Sequence, residues 1–309
     1  MPSLFTAVIS EIEGGDTLAD AALKSYPLLL VRAAEGYSAA LAHRRSIGVS
    51  IAGADCDRDG SLAWYGGRPT LVGAHPISVD PHEFDELASS PEVLERQREL
   101  LTTRPEKLLL RVDRTDPSKN IVRGFRAFEL YLDAHPEARR RVGMLALLDP
   151  SRQEIPEYAE YLGAIQREAR RVNDRFQENG WTPIDLQIDD DFPQAVAAYK
   201  QFDVLLVNAI FDGMNLVAKE APLVNEQDGV VVLSENAGVH AELGDWALAV
   251  NPFDVGAQAE AIHQALTMAA AERRARIEAI RTQVREHDAE AWIDRLLTAL
   301  DRVAAPAGA

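Results

Sequence analysis

The sequence of 309 residues is 47% hydrophobic and 26% charged, sets 32 basic against 49 acidic side chains for a net charge of −17, and has one cysteine, Cys56. That balance repels a polyphosphate backbone and disfavours non-specific nucleic-acid binding, a lone cysteine excludes a disulfide framework and a cysteine-built metal site, and no apolar run approaches the roughly twenty residues of a membrane span. The expectation is a cytoplasmic protein of one or two lobes, with no membrane association and no secretion signal in Met1–Arg32, where Glu11, Glu13 and Asp16 arrive early.

In chain order, the first forty residues carry no regular pattern. Leu62–Tyr65 and Thr70–Gly73 flank Gly66-Gly67 and predict a hairpin, Ala74–Ile77 reads as a strand end feeding a turn, and Glu83–Leu100 has helical periodicity. Beyond residue 105, buried-strand runs at Leu108–Val112, Val142–Leu148, Ile184–Ile188, Val204–Val207, Val230–Leu233 and Ala247–Val250 alternate with helix-period segments. Those segments are Ile121–Ala134, Ile155–Gln177, Pro193–Tyr199, Met214–Leu223 and Ala257–Ala269, followed by one or two polar helices over Ala271–Leu300. Strand then helix, repeated, implies right-handed crossovers and a parallel sheet covered on both faces, which is a Rossmann-like α/β lobe.

Open α/β sheets bind ligands at the carboxyl ends of their strands, and two loops there carry chemistry. After the strand ending at Val207, Asp212-Gly213-Met214-Asn215-Leu216-Val217-Ala218-Lys219-Glu220 offers a glycine where backbone N–H groups can approach an anion at a helix start. Asp212 in the loop and Glu220 about two turns into the helix could accept hydroxyls from different parts of one ligand; a plain helix cap with a solvated Lys219-Glu220 face is the competing reading. After the strand Leu108–Val112, residues 104–126 hold seven basic and three acidic side chains, a local +4 in a −17 chain. Arg114 and Lys119, five apart across a turn with Pro117, could converge on a diphosphate, or Arg114 could form an ordinary surface pair with Asp116. Arg152 joins the same edge, Ser234–Gly238 could line a ligand or form a polar turn, and the seven histidines show no metal spacing or triad, so no metal is assigned. Lysine is scarce, 5 against 27 arginines, and two of the five, Lys119 and Lys219, fall inside these loops.

R-V-D-R-T-D-P-S-K-N at 111–120, L-D-P-S-R at 148–152, D-V-L-L-V-N-A-I-F-D-G-M-N-L-V-A-K-E at 203–220, V-V-V-L-S-E-N-A-G at 230–238 and A-L-A-V-N-P-F-D at 247–254 resemble glycosyltransferase family 20, the trehalose-phosphate synthases, from about residue 45 to the C-terminus. The resemblance implies an α/β fold of the GT-B type, with a complete donor-binding lobe over 101–309 and a remnant of the acceptor lobe over 1–100. It implies retaining transfer of glucose from UDP-, GDP- or ADP-glucose to glucose 6-phosphate, in trehalose biosynthesis, without a metal or other cofactor. By the same resemblance Arg114 and Lys119 hold the donor diphosphate, Asp212, Gly213, Met214, Asn215 and Leu216 meet the sugar, and Arg152, Val217 and Glu220 meet the nucleotide, Arg152 near the base and Glu220 at the ribose.

This sequence departs from the family at Asn120, Pro117, Phe211 and Glu235-Asn236, and it lacks the His-Asp-Tyr-His element that supplies a catalytic histidine, so the catalytic residue is left unassigned. Only Gly66-Gly67-Arg68 through Pro76–Asp80 matches the tail of the acceptor lobe, and the expectation is a truncated form that binds a nucleotide sugar, makes no trehalose 6-phosphate by itself and self-associates. The alternatives are a non-catalytic nucleotide-sugar-binding or regulatory subunit, and a pseudo-glycosyltransferase of the validoxylamine-phosphate synthase type.

Overall fold

The computed structural model describes residues 74–301 with their side chains and the backbone to residue 304. Upstream it describes four strands, β1 Leu28–Leu30, β2 Asp55–Cys56, β3 Leu62–Tyr65 and β4 Arg68–Gly73. β3 and β4 pair antiparallel across the predicted hairpin, whose Gly66-Gly67 lies outside the described residues. β1, which the sequence pattern did not reveal, adds to β4 in parallel, and β2 pairs antiparallel with β3.

Glu83–Leu100 is two helices, not one. α1 runs Pro81–Leu87 and α2 Pro91–Thr103, each with proline at its first turn and each capped, by Asp80 accepting from the His82 amide and by Ser90 accepting from the Val93 amide. Then follow β5 Lys107–Arg114, α3 Ile121–Ala134, β6 Val142–Asp149, α4 Pro156–Phe176, β7 Ile184–Ile188, α5 Phe192–Gln201, β8 Val204–Val207, α6 Val217–Val224, β9 Val230–Ser234, α7 His240–Leu243, β10 Leu248–Val250, α8 Val255–Thr267, α9 Ala270–Glu286 and α10 Ala289–Ala304.

The six strands from β5 onward form one parallel sheet in the order β10-β9-β8-β5-β6-β7. Alternation of side chains along each strand feeds two cores. Leu108, Leu110, Leu205, Val207, Val231 and Leu233 face one layer with Phe84, Val93, Tyr199 and Ala218, while Leu109, Leu148, Leu206, Val230 and Val232 face the other with Phe125, Phe128, Ile165 and Ile262. The inner strands β5, β6, β8 and β9 are therefore apolar on both faces, which is why these segments read as continuous Leu- and Val-rich runs, whereas edge strand β7 alternates Ile and Leu with Asp185 and Gln187. Phe84 and Val93 place α1 and α2 against this sheet although they lie before residue 101. Among the described residues no helix is long and apolar enough to cross a membrane.

The first crossovers run outward, β5 to β6 to β7, and the chain then returns to lay β8 on the other side of β5. The loops leaving β5 and β8 consequently sit side by side at adjacent strand ends, at the switch point where open α/β sheets bind ligands.

Candidate functional site

Both loops are built by local polar bonds. Asp116 accepts from the Ser118 amide at 2.9 Å and starts a single 3₁₀ turn over Pro117–Lys119. Asn120 then turns left-handed, φ 60°, a conformation asparagine tolerates better than most residues. Its side-chain amide donates to the carbonyls of Asn208, after β8, and Pro252, after β10, at 2.9 and 2.7 Å. The Ile210 amide donates to the Ser118 carbonyl at 2.7 Å, which stitches the two cleft loops together directly.

Under this junction lies Arg111, 0% exposed. Its Nη2 donates to Asp113 Oδ2 at 2.7 Å, the Lys119 carbonyl at 3.0 Å and Asn208 Oδ1 at 3.2 Å, and Nε adds a second bond to Asp113 at 3.1 Å. Asn208 Nδ2 continues the network to Gln258 Oε1 at 2.7 Å. A buried guanidinium is tolerable only with such a set of partners, and here the set fixes the carbonyl of Lys119 relative to β8.

Lys119 Nζ meets Asp212 Oδ2 at 2.5 Å, joining the two expected ligand-binding loops in one ion pair. Asp212 also accepts from Asn215 Nδ2 at 2.9 Å, and Asn215, left-handed at φ 71°, caps α6 by accepting from the Ala218 amide at 3.2 Å. The N–H groups of Gly213, Met214, Asn215 and Leu216 find no acceptor among the described residues. Met214 itself is buried in the core, so it can offer a ligand its backbone and not its side chain. The Ser234–Gly238 turn closes the loop from outside, the Asp212 amide donating to the Asn236 carbonyl at 3.4 Å and the Gly238 amide to the Asp212 carbonyl at 3.0 Å.

A cleft of about 270 Å³ opens beside this ion pair, over the ends of β5, β6 and β7 and against α5 and α6; Arg114, Lys119, Val217 and Glu220 line it, whereas Asp212, Gly213, Met214, Asn215 and Leu216 are not part of its lining. Arg114 is exposed and makes no ion pair among the described residues; Asp116, the partner weighed for it, is bonded instead to Ser118 and to the Tyr158 hydroxyl. Glu220 stands in the first turn of α6, not two turns in, because left-handed Asn215 delays the helix start to Val217. Its Oε2 accepts from the Tyr199 hydroxyl at 3.2 Å, and burial pushes its carboxyl above the ordinary glutamate value. Lys219 turns away from the cleft.

Arg152 is not brought into the lining: its guanidinium lies over the Tyr158 ring, 5.6 Å from the centroid, with Nη1 3.2 Å from the hydroxyl. Conversely, the sequence reading missed Tyr199, Phe192 and the acidic wall of Asp149, Asp189 and Asp190. The Asp189-Asp190-Asp191 run directly after β7 was the available signal, at the ligand-binding edge of the sheet. Burial and the neighbouring Asp190 raise the Asp149 carboxyl above its usual range.

The sequence model of glycosyltransferase family 20 matches residues 43–302. A probable α,α-trehalose-phosphate synthase (UDP-forming) of Arabidopsis thaliana is 38% identical over 231 residues, 74% of this chain and 28% of the relative. The bifunctional trehalose-6-phosphate synthase/phosphatase of Thermoproteus tenax is 39% identical over 239 residues, 75% of this chain and 32% of the relative. Among solved structures, the α,α-trehalose-phosphate synthase (UDP-forming) of Burkholderia xenovorans, in complex with glucose-6-phosphate, superposes with a TM-score of 0.83 at 35% identity, covering 92% of this chain and 63% of that one. This chain thus spans about a third of the length of these two curated relatives.

Proposed function

The chain belongs to glycosyltransferase family 20, and from that premise we propose that it holds a nucleotide sugar in this cleft and against the adjoining Asp212 loop, for retaining transfer of glucose to a sugar phosphate. The α/β, GT-B type architecture is common to it and its solved relatives. Arg114 and Lys119 take the diphosphate by charge-assisted hydrogen bonds. Asp212 accepts hydroxyls of the sugar, the free N–H groups of Gly213–Leu216 donate to it, and Glu220 accepts from the ribose. As the glycosidic bond to the donor breaks, negative charge gathers on the departing diphosphate. Fixed positive groups stabilise that charge without reorganising, which is where such a site gains its rate.

The observation that carries this reading is the Lys119–Asp212 ion pair, because it brings together two loops whose residues were assigned to adjoining parts of one donor. UDP-glucose is the first donor to test, since relatives are named as UDP-forming, with GDP- and ADP-glucose beside it. One relative was solved with glucose-6-phosphate, which supports that acceptor class.

The decisive experiment titrates the 309-residue protein calorimetrically with each donor and its nucleoside diphosphate, then assays for trehalose 6-phosphate by mass spectrometry with donor and glucose 6-phosphate. Saturable binding of one nucleoside diphosphate is expected. A folded protein that binds none of the three would end the proposal.

A further inference from the structure

Lys219 is the charged residue of the Asp212–Glu220 run to which the proposed donor site gives no role. It is 1% exposed, and the roughly 100° step between successive helix residues turns it to a different face of α6 from Glu220. Its Nζ donates to the Ile77 carbonyl at 3.0 Å, Glu242 Oε2 at 3.1 Å and Ser78 Oγ at 3.4 Å. These match the three protons of an ammonium. A guanidinium, a planar fork, could not serve three acceptors converging on one point.

The acceptors belong to two different parts of the protein. Glu242 sits on α7, directly beyond the turn that closes the Asp212 loop, and the Val239 amide between them donates to the Met214 carbonyl at 2.9 Å. Ile77 and Ser78 belong to His75–Asp80, the stretch by which the chain passes from β4 into α1. The far side of that stretch is held by α10, through the Ala289 amide on the Val79 carbonyl at 3.0 Å and the Trp292 indole N–H on the His75 carbonyl at 3.2 Å.

A buried ammonium costs several kcal/mol of desolvation, and an apolar residue of the same volume is often as stable in such a place. Stability is therefore a weak reason for Lys219, and burial indeed draws its pKa below the ordinary lysine value. What an apolar residue cannot do is tie one helix to the carbonyl of a stretch 142 residues away.

We propose that Lys219 is a positioning residue that couples the cleft helix α6 to the connecting stretch His75–Asp80, so that a nucleoside diphosphate seated on α6 also fixes the direction in which the preceding part of the chain leaves the lobe. Lys219 touches no ligand. It acts through the Ile77 carbonyl, and it rests on the reading above that this cleft takes a nucleoside diphosphate.

The test compares the 309-residue protein with Lys219→Met and with Lys219→Met/Glu242→Leu, which removes both charges and so leaves no carboxylate buried alone. Amide hydrogen exchange over 75–80 and over β5, with and without UDP, is read beside the calorimetric UDP affinity. Without nucleotide, loss of a charged tether should speed exchange over 75–80 by at least about tenfold in the double variant, with β5 unchanged. UDP should slow exchange over 75–80 in the parent protein and leave it unaltered in the double variant, although that variant still binds UDP within about twofold of the parent.

Equal protection of 75–80 by UDP in both proteins, or none in the parent that binds UDP, would overturn the coupling. Equal loss of affinity and of β5 protection would reduce Lys219 to a support of the lobe. If the parent binds no nucleotide, the functional reading fails, while exchange without nucleotide still reports on the tether: unchanged rates over 75–80 in a folded double variant refute it.

Discussion

Replacing Gly124 by alanine tests whether Arg111 supports the cleft. Gly124 is in the first turns of α3 with ordinary helical backbone, so no left-handed conformation is at stake. A β-carbon there would stand 2.3 Å from Arg111 Nη1 and 3.3 Å from both Asn208 Nδ2 and Leu206 Cδ2. On a surface arginine that approach would be relieved by a swing of the side chain. Arg111 has no such room, since moving about 1 Å to reach ordinary contact breaks at least one of its bonds to Asp113, Asn208 or the Lys119 carbonyl.

Overpacking costs about 1–3 kcal/mol and a lost hydrogen bond to a charged group about 1.5–3 kcal/mol. Against this, alanine gains about 1 kcal/mol over glycine in helix propensity. The expected net destabilisation is about 1.5–5 kcal/mol by urea unfolding, and because the Lys119 carbonyl moves with the guanidinium, UDP affinity under native conditions should fall about fivefold or more. A Gly124→Ala protein that is more stable by about 1 kcal/mol and binds UDP normally would mean that propensity alone operates, and would refute the supporting role.

Arg114→Ala and Lys119→Ala should each weaken UDP binding about 10- to 150-fold with the fold intact, measured calorimetrically; unchanged affinity in both would remove them from the diphosphate. Glu220→Gln should weaken UDP binding and spare inorganic pyrophosphate, which has no ribose, and the UDP preference of the parent should grow as pH rises above the usual glutamate range and ionises the carboxylate. Because burial holds the folded pKa of Glu220 above its unfolded value, its contribution to stability is full below about 4.5 and is lost as pH rises through the raised value, so the melting temperature of Glu220→Gln should lack that decline. Glu129 has the opposite sign: hydrogen bonds from Arg171 and Arg175 lower its pKa, its contribution is present above about 4.5 and lost as pH falls through the lowered value, and Glu129→Gln should flatten the acid limb of a thermal scan.

Val204–Val207 and Ile121–Ala134 were legible to the residue because both faces of β8 are buried and α3 has a clean apolar stripe, and Ile184–Ile188 because its Ile and Leu alternate strictly with Asp185 and Gln187. The start of α6 was misread by three residues, since nothing in Asn215 announces its left-handed backbone, whereas the break between α1 and α2 was signalled by Ser90-Pro91. The C-terminal polar stretch divides at His287-Asp288 into α9 and α10. Arg114, Lys119 and Glu220 could be picked out because strand-end loops announce themselves locally. Arg111 could not be understood that way, because Asn208, which receives its guanidinium, lies 97 residues away, and Gln258 another 50 beyond.

The placement of β8 beside β5 also orders the birth of the cleft in time. β5, β6 and β7 can assemble by successive local crossovers, but Leu109 meets Val204 only after the chain has travelled nearly a hundred residues and closed that loop. Non-local pairings of this kind form late, because the entropy of closure precedes any contact that offsets it. On the ribosome, Arg114 and Lys119 are therefore synthesised and presented on a strand end well before Asp212 exists to pair with Lys119. At that stage β5 is an unpaired edge beside a cationic loop, and the nascent half-sheet is most exposed to wrong partners until β8 docks.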